Sequence, residues 1–235
     1  MPDTNRRDAL SLAAGGALAT GLLLAGCKGG EEERGGEVTA NEDLMREHGV
    51  LRRILILYRE IAPRLEAAPA GIDAAALGRA ATLFRRFGEQ YHEQLLEERH
   101  IFPIARRRGA DQARIVDTLL AQHARGRAIT GRIIDRTRAG RIATGDAAPL
   151  ARTLIAFTRM YEAHAAREDT IIFPAFKAAL GAHGYRELGE QFEEIEHREF
   201  GGDGFDIALA EVEAIEASFG LSDLAAFTAP APAGA

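Results

Sequence analysis

His164 and Glu168 stand four residues apart in Met160–Phe176, MYEAHAAREDTIIFPAF, a stretch that closes on Phe173-Pro174. At 3.6 residues per turn, such a pair projects from one helix face, so an imidazole and a carboxylate aim at the same place. An echo lies upstream in Tyr91–Pro103, YHEQLLEERHIFP, with His92, Glu97 and a second Phe-Pro. Two helices that each carry a histidine and a carboxylate suggest a metal pair clamped between them. That demands a fold in which several helices surround a common interior.

The rest of the chain offers those helices. Thr39-Ala40-Asn41-Glu42 has capping-box spacing, and Leu44, Leu51, Leu55 and Ile61 keep a helical rhythm to about Leu65, before Pro69-Ala70-Gly71. Asp73 can cap a second helix, whose stripe of Leu77, Phe84, Phe87 and Tyr91 runs on towards Phe102-Pro103. A third opens at Asp111 and ends near Gly140; a fourth, opened by Gly145-Asp146 and Pro149, stops at Gly181. Four amphipathic helices of roughly 25–35 residues with short connections predict an all-α, up-down-up-down four-helix bundle over residues 39–181. Residues 182–235 read as extra C-terminal helices, about Tyr185–Phe200 and Asp206–Phe219, followed by an Ala/Pro-rich tail. The net charge of −6 gives a nucleic-acid partner no electrostatic support.

Residues 1–27 stand outside that fold. Arg6-Arg7 precede an apolar, Gly/Ala-rich run from Ala9 to Gly26, the pattern of a twin-arginine export signal. Gly15, Gly16 and Gly21 make the same run marginal as a membrane span. It ends Leu24-Ala25-Gly26-Cys27, which resembles a bacterial lipobox. That resemblance implies a lipid anchor on Cys27 and a place on the periplasmic or cell-envelope side of a bacterial membrane. Residues 28–38, KGGEEERGGEV, read as a solvated tether. Cys27 is the only cysteine, so any metal further along must be held by histidine and carboxylate.

The seven histidines are distributed as such a site requires: His48 on the first helix, His92 and His100 on the second, His123 on the third and His164 on the fourth. His183 and His197 lie beyond. A lone histidine on an amphipathic helix is ordinarily a surface or hydrogen-bonded residue; the set gives the pattern its meaning. The second helix leaves two arrangements open. His92 and Glu97 are five residues apart, about 140° out of line on an ideal α-helix, and would share a face only across a π-bulge near Gln94–Leu96. A regular helix would instead align Glu93, Glu97 and His100, the last two forming Glu-x-x-His.

Taken together, these residues resemble the hemerythrin family in its HHE cation-binding branch, over about residues 40–180. The family pattern of His, His-xxx-Glu, His and His-xxx-Glu on successive helices falls on His48, His92 with Glu97, His123, and His164 with Glu168. Its Glu-Glu-x-x-Leu-Phe-Pro appears as Glu97-Glu98-Arg99-His100-Ile101-Phe102-Pro103. The resemblance places the second-helix ligand at His92. It implies two irons per chain, bridged by carboxylates and an oxo or hydroxo group. His48 and His92 would serve one iron, His123 and His164 the other, with Glu97 and Glu168 between them.

One departure bears on function. Oxygen-carrying members have His-xxx-His on the third helix, whereas here Arg127 follows His123 and cannot ligate while charged. The second iron is then more open, unless His197 or water fills the place. This favours redox chemistry, gas sensing or iron handling over reversible oxygen carriage. The expected function is to bind, reduce or sense O2 or NO, with a separate electron donor if turnover occurs. An iron store or donor without turnover, or a structural helical lipoprotein, are the alternatives. Glu98 and Asp169 read as neighbours of the site, Tyr91 and Tyr161 as core, and His183 as loop.

Overall fold

The structure, a computed structural model, describes residues 39–232; the export signal, Cys27 and the tether lie outside the described residues. Among the described residues the chain is helical, with no strand. Helix α1 (Ala40–Ala67) opens on the expected capping box: Glu42 N–H donates to Thr39 Oγ1 at 3.4 Å, and Thr39 N–H to Glu42 Oε2 at 2.9 Å. Asp73 caps α2 (Ala74–Leu83), its Oδ1 accepting from Ala76 N–H at 2.9 Å. A π-wound segment, Phe84–Ile101, and the short α3 (Phe102–Arg106) continue it. Helix α4 (Ala110–Thr137) starts one residue before Asp111, which sits in the first turn instead of capping it. Helix α5 (Thr144–Arg167) passes through a second π segment, Glu168–Ile172, into α6 (Phe173–Phe200), and α7 (Gly204–Phe219) follows. The expected stop at Gly181 is a break within α6: its φ of 67° and ψ of 174° suit only glycine, and the helix resumes beyond it. His183, expected in a loop, is therefore helical, and it is exposed.

Both π segments end at a Phe-Pro. Proline has no N–H, and in an α-helix its ring collides with the carbonyl four residues back. The winding widens where that collision would fall: Phe102 N–H donates to the Glu97 carbonyl, and Phe173 N–H to the Glu168 carbonyl, each five residues back. The two Phe-Pro pairs thus place one glutamate apiece on a widened turn.

Helix α1 packs on α5, α4 on α2 and α5, while α6 and α7 lie against α1. Leu44, His48, Leu51, Leu55, Tyr58, Ile61 and Leu65 form the buried face of α1 at three- and four-residue intervals. Ion pairs fasten α7: Arg53 to Glu216 at 2.8 and 2.5 Å, and Arg86 to Glu211 at 2.7 Å. Burying a Leu, Ile or Phe contributes roughly 1.5–3 kcal/mol, so this core offsets the several kcal/mol that each buried charge costs. No helix among the described residues is long and apolar enough to cross a membrane.

Candidate metal centre

His48, His92, Glu97, His123, His164 and Glu168 are all buried and converge from α1, both π segments, α4 and α5. They form two donor groups. In the first, His48 Nε2 and His92 Nε2 are 3.0 Å apart, with Glu97 Oε1 3.4 Å from His92 and Glu168 Oε2 3.5 Å from His48. In the second, His123 Nε2 and His164 Nε2 are 3.1 Å apart, with Glu97 Oε2 3.4 Å from His123 and Glu168 Oε1 2.9 Å from His164. Each carboxylate therefore turns one oxygen to each group. Donors about 2.1 Å from one ion, subtending 90–109° at it, lie roughly 3.0–3.4 Å apart, close to the 2.9–3.5 Å found here.

Two features fit a cation. The Nδ1 atoms are already committed: His48 donates to Asp169 at 2.7 Å, His92 to Glu47 at 2.5 Å, His123 to Glu98 at 2.9 Å and His164 to Gln122 at 2.9 Å. That leaves four Nε2 lone pairs pointing inward, in facing pairs that repel unless a cation or proton lies between them. In addition, all four oxygens of Glu97 and Glu168 are buried without a hydrogen-bond partner. An uncompensated buried carboxylate is costly, and a shared cation removes that cost. A nitrogen and oxygen donor set without thiolate suits iron and its first-row neighbours.

The electrostatics agree. Burial alone would push the His123 imidazole down, but the Glu93, Glu97 and Glu98 carboxylates outweigh it and hold the group up at about 10. His92 is likewise raised despite burial, by Glu97 and Glu47. Glu97, which burial would raise, is held well below the usual carboxylate range by His92 and His123. Without metal, protons supply the positive charge, so metal must displace them. Uptake at pH 7 should release protons, and affinity should fall about 10-fold or more from pH 8 to pH 6, as measured by chelator competition at each pH.

The two halves of the site repeat one another. Glu47-His48 with Arg52 in α1 corresponds to Gln122-His123 with Arg127 in α4, and both arginines pair with the acid behind the histidine, Asp169 and Glu98 respectively. Phe173 stacks on His48 with ring centroids 5.5 Å apart, and Phe102 on His123 at 5.5 Å. Glu98 and Asp169, read from the sequence as neighbours, are thus the groups that orient two imidazoles. Glu47 and Gln122 carry a single sequence signal, a polar residue immediately before each histidine.

The π winding of the second helix runs well beyond the expected bulge near Gln94–Leu96. It brings His92 and Glu97 together, while the His100 ring turns away to meet Phe192, centroids 5.7 Å apart. Glu93 is buried beside the site instead of in either quartet: Tyr161 Oη donates to its Oε1 at 2.7 Å, and Arg127 to its Oε2 at 3.2 Å. His197 is exposed on α6 and does not reach the donors. His92→Ala should therefore lower metal affinity about 100-fold, with His100→Ala within about 3-fold of wild type, by the same competition assay.

An all-helical bundle around buried His/Glu clusters defines a metal-cation-binding helical protein. The chain matches the model of the hemerythrin HHE cation-binding domain over residues 39–176 and again over 114–227, and it belongs to that family. It is 42% identical over 225 residues, 90% of this chain and 87% of the relative, to the uncharacterized protein Rv1995 of Mycobacterium tuberculosis (strain ATCC 25618 / H37Rv). The same figures hold for the uncharacterized protein Mb2018 of Mycobacterium bovis. No solved structure matches the chain.

Proposed function

We propose that this is a di-iron protein of up-down-up-down four-helix design, binding, reducing or sensing a small diatomic such as O2 or NO. The carrying observation is two adjoining donor groups, His123, His164, Glu97 and Glu168 in one and His48, His92 and Glu97 in the other with Glu168 3.5 Å from His48, built on carboxylates that are otherwise unpartnered. Iron held by these three or four protein donors would keep open positions and would supply one-electron chemistry at them. The protein's own part is to fix the imidazoles through Nδ1, exclude bulk water and limit what enters. A cavity of about 20 Å³ lies among the donors His48, His92, Glu97, His164 and Glu168 and is walled by Leu55, Phe84 and Tyr161, so only a very small ligand has room beside bound metal. That size favours a diatomic over any organic substrate.

Export by the twin-arginine route and anchoring through a lipid on Cys27 belong to the same proposal, on the strength of residues 6–27 alone. Reduction of the diatomic would draw electrons from a separate donor protein. The test is metal content per chain of protein lacking its first 27 residues, expressed with iron. Two irons per chain and a spectral change with O2 or NO support the reading. Zinc, or substoichiometric metal, counts against it.

A further inference from the structure

We propose that the two donor groups are unequal metal positions, distinguished by Glu47 against Gln122. The His48/His92 position binds first and retains its ion, while the His123/His164 position exchanges. This rests on the metal-site reading above.

Three of the four backing contacts are carboxylates. His48 has Asp169, shared with Arg52, and its counterpart His123 has Glu98, shared with Arg127, so those two imidazoles are backed alike. The other two are not. His92 Nδ1 donates to the Glu47 carboxylate at 2.5 Å, whereas His164 Nδ1 donates to the Gln122 amide oxygen at 2.9 Å. A carboxylate facing the imidazole N–H draws that proton and makes the opposite nitrogen a stronger donor; a neutral amide does so less. Glu93 adds a carboxylate on the second side, but Tyr161 and Arg127 hold both its oxygens.

Exposure acts in the same direction. Glu47 is 0% exposed, on a helix against which α6 and α7 pack. Gln122 is partly exposed, and with His164, Thr118, Leu119 and Arg167 it lines a surface groove. Water and a competing chelator can therefore reach the backing of His164 but not that of His92. Donor strength and access single out the same position as the weaker one and outweigh its fuller set of mutually close donors, four against three at His48/His92.

The test is titration of the metal-free full chain with Co(II) as the sole metal, read by visible absorption and by chelator competition. Two steps are expected, the first about 10-fold or more tighter than the second, and EDTA should withdraw one ion faster than the other. His164→Ala should keep the tight step and His92→Ala should lose it. Glu47→Gln should bring the two constants together by weakening the first, and Gln122→Glu by strengthening the second. A gain of affinity in Gln122→Glu cannot arise from damage to the fold. A single step of equal constants, or unchanged spacing in both variants, overturns the inequality and leaves the site reading intact. Absence of any Co(II) binding overturns both.

Discussion

Glu97→Ala is expected to weaken metal binding about 100-fold or more at both positions together, whereas Glu98→Ala should cost about 10-fold at one. The contrast follows from reach. The two oxygens of Glu97 lie 3.4 Å from His92 and 3.4 Å from His123, so its removal takes one donor from each group. Glu98 touches only the Nδ1 side of His123, at 2.9 Å, and its loss lets one imidazole drift. Chelator competition on the two variants gives the affinities. Thermal melting of the metal-free proteins serves as the control: Glu97 balances the His92 and His123 imidazoles in the metal-free core, so Glu97→Ala should also lower metal-free stability, and the affinities are compared at a temperature where both proteins are folded. A Glu97→Ala protein that keeps one full-affinity ion would rule out sharing.

His48, His123, His164 and Glu168 stand out in the sequence because helical periodicity and residue type coincide there, whereas His92 and Glu97 are out of phase on an ideal helix and are paired only by the family resemblance. What surrounds them was harder to see. The five-residue spacing of His92 and Glu97 signalled a local widening, but the true extent, Phe84–Ile101, depends on how the helix meets Pro103 and on packing that no local pattern encodes. The second widened turn, Glu168–Ile172, gave no spacing signal, since His164 and Glu168 already stand four apart. Tyr161 reads as core on its helix, and the ring is indeed buried. Its hydroxyl partner, Glu93, lies 68 residues away, a distance that periodicity cannot bridge. Arg127 shows on the sequence only as a missing ligand; its pairing with Glu93 and Glu98 needs α4 and the Phe84–Ile101 segment side by side.

Gly126→Ala should destabilise the protein by about 2–4 kcal/mol, although the same exchange within an ordinary helix is stabilising by up to about 1 kcal/mol. A Cβ at position 126 would lie 2.0 Å from Tyr161 Oη and 2.8 Å from its Cζ, so the ring must leave its slot. Moving it also breaks the hydroxyl contact to Glu93 and leaves that buried carboxylate to Arg127 alone. For a chain of this length the melting temperature should fall by roughly 5–15 °C. Tyr161→Phe removes the atom at 2.0 Å and keeps the ring, so the Gly126→Ala/Tyr161→Phe double variant should be less destabilised than the two single losses summed. Additive losses would mean that Gly126 and Tyr161 act separately. Wild-type stability in Gly126→Ala would mean that the slot does not exist.

The correspondence between the α1 and α4 halves has a consequence for how this site can vary. Two copies of one helical hairpin, meeting face to face, would build the same interior: four inward imidazoles, two shared carboxylates, two aromatic lids. Such a homodimer would be bound to carry one residue type at both the Glu47 and Gln122 places. A single polypeptide that contains both hairpins is released from that constraint. Each half can be altered without altering its twin, and a difference between neighbouring ions becomes something that one gene can encode.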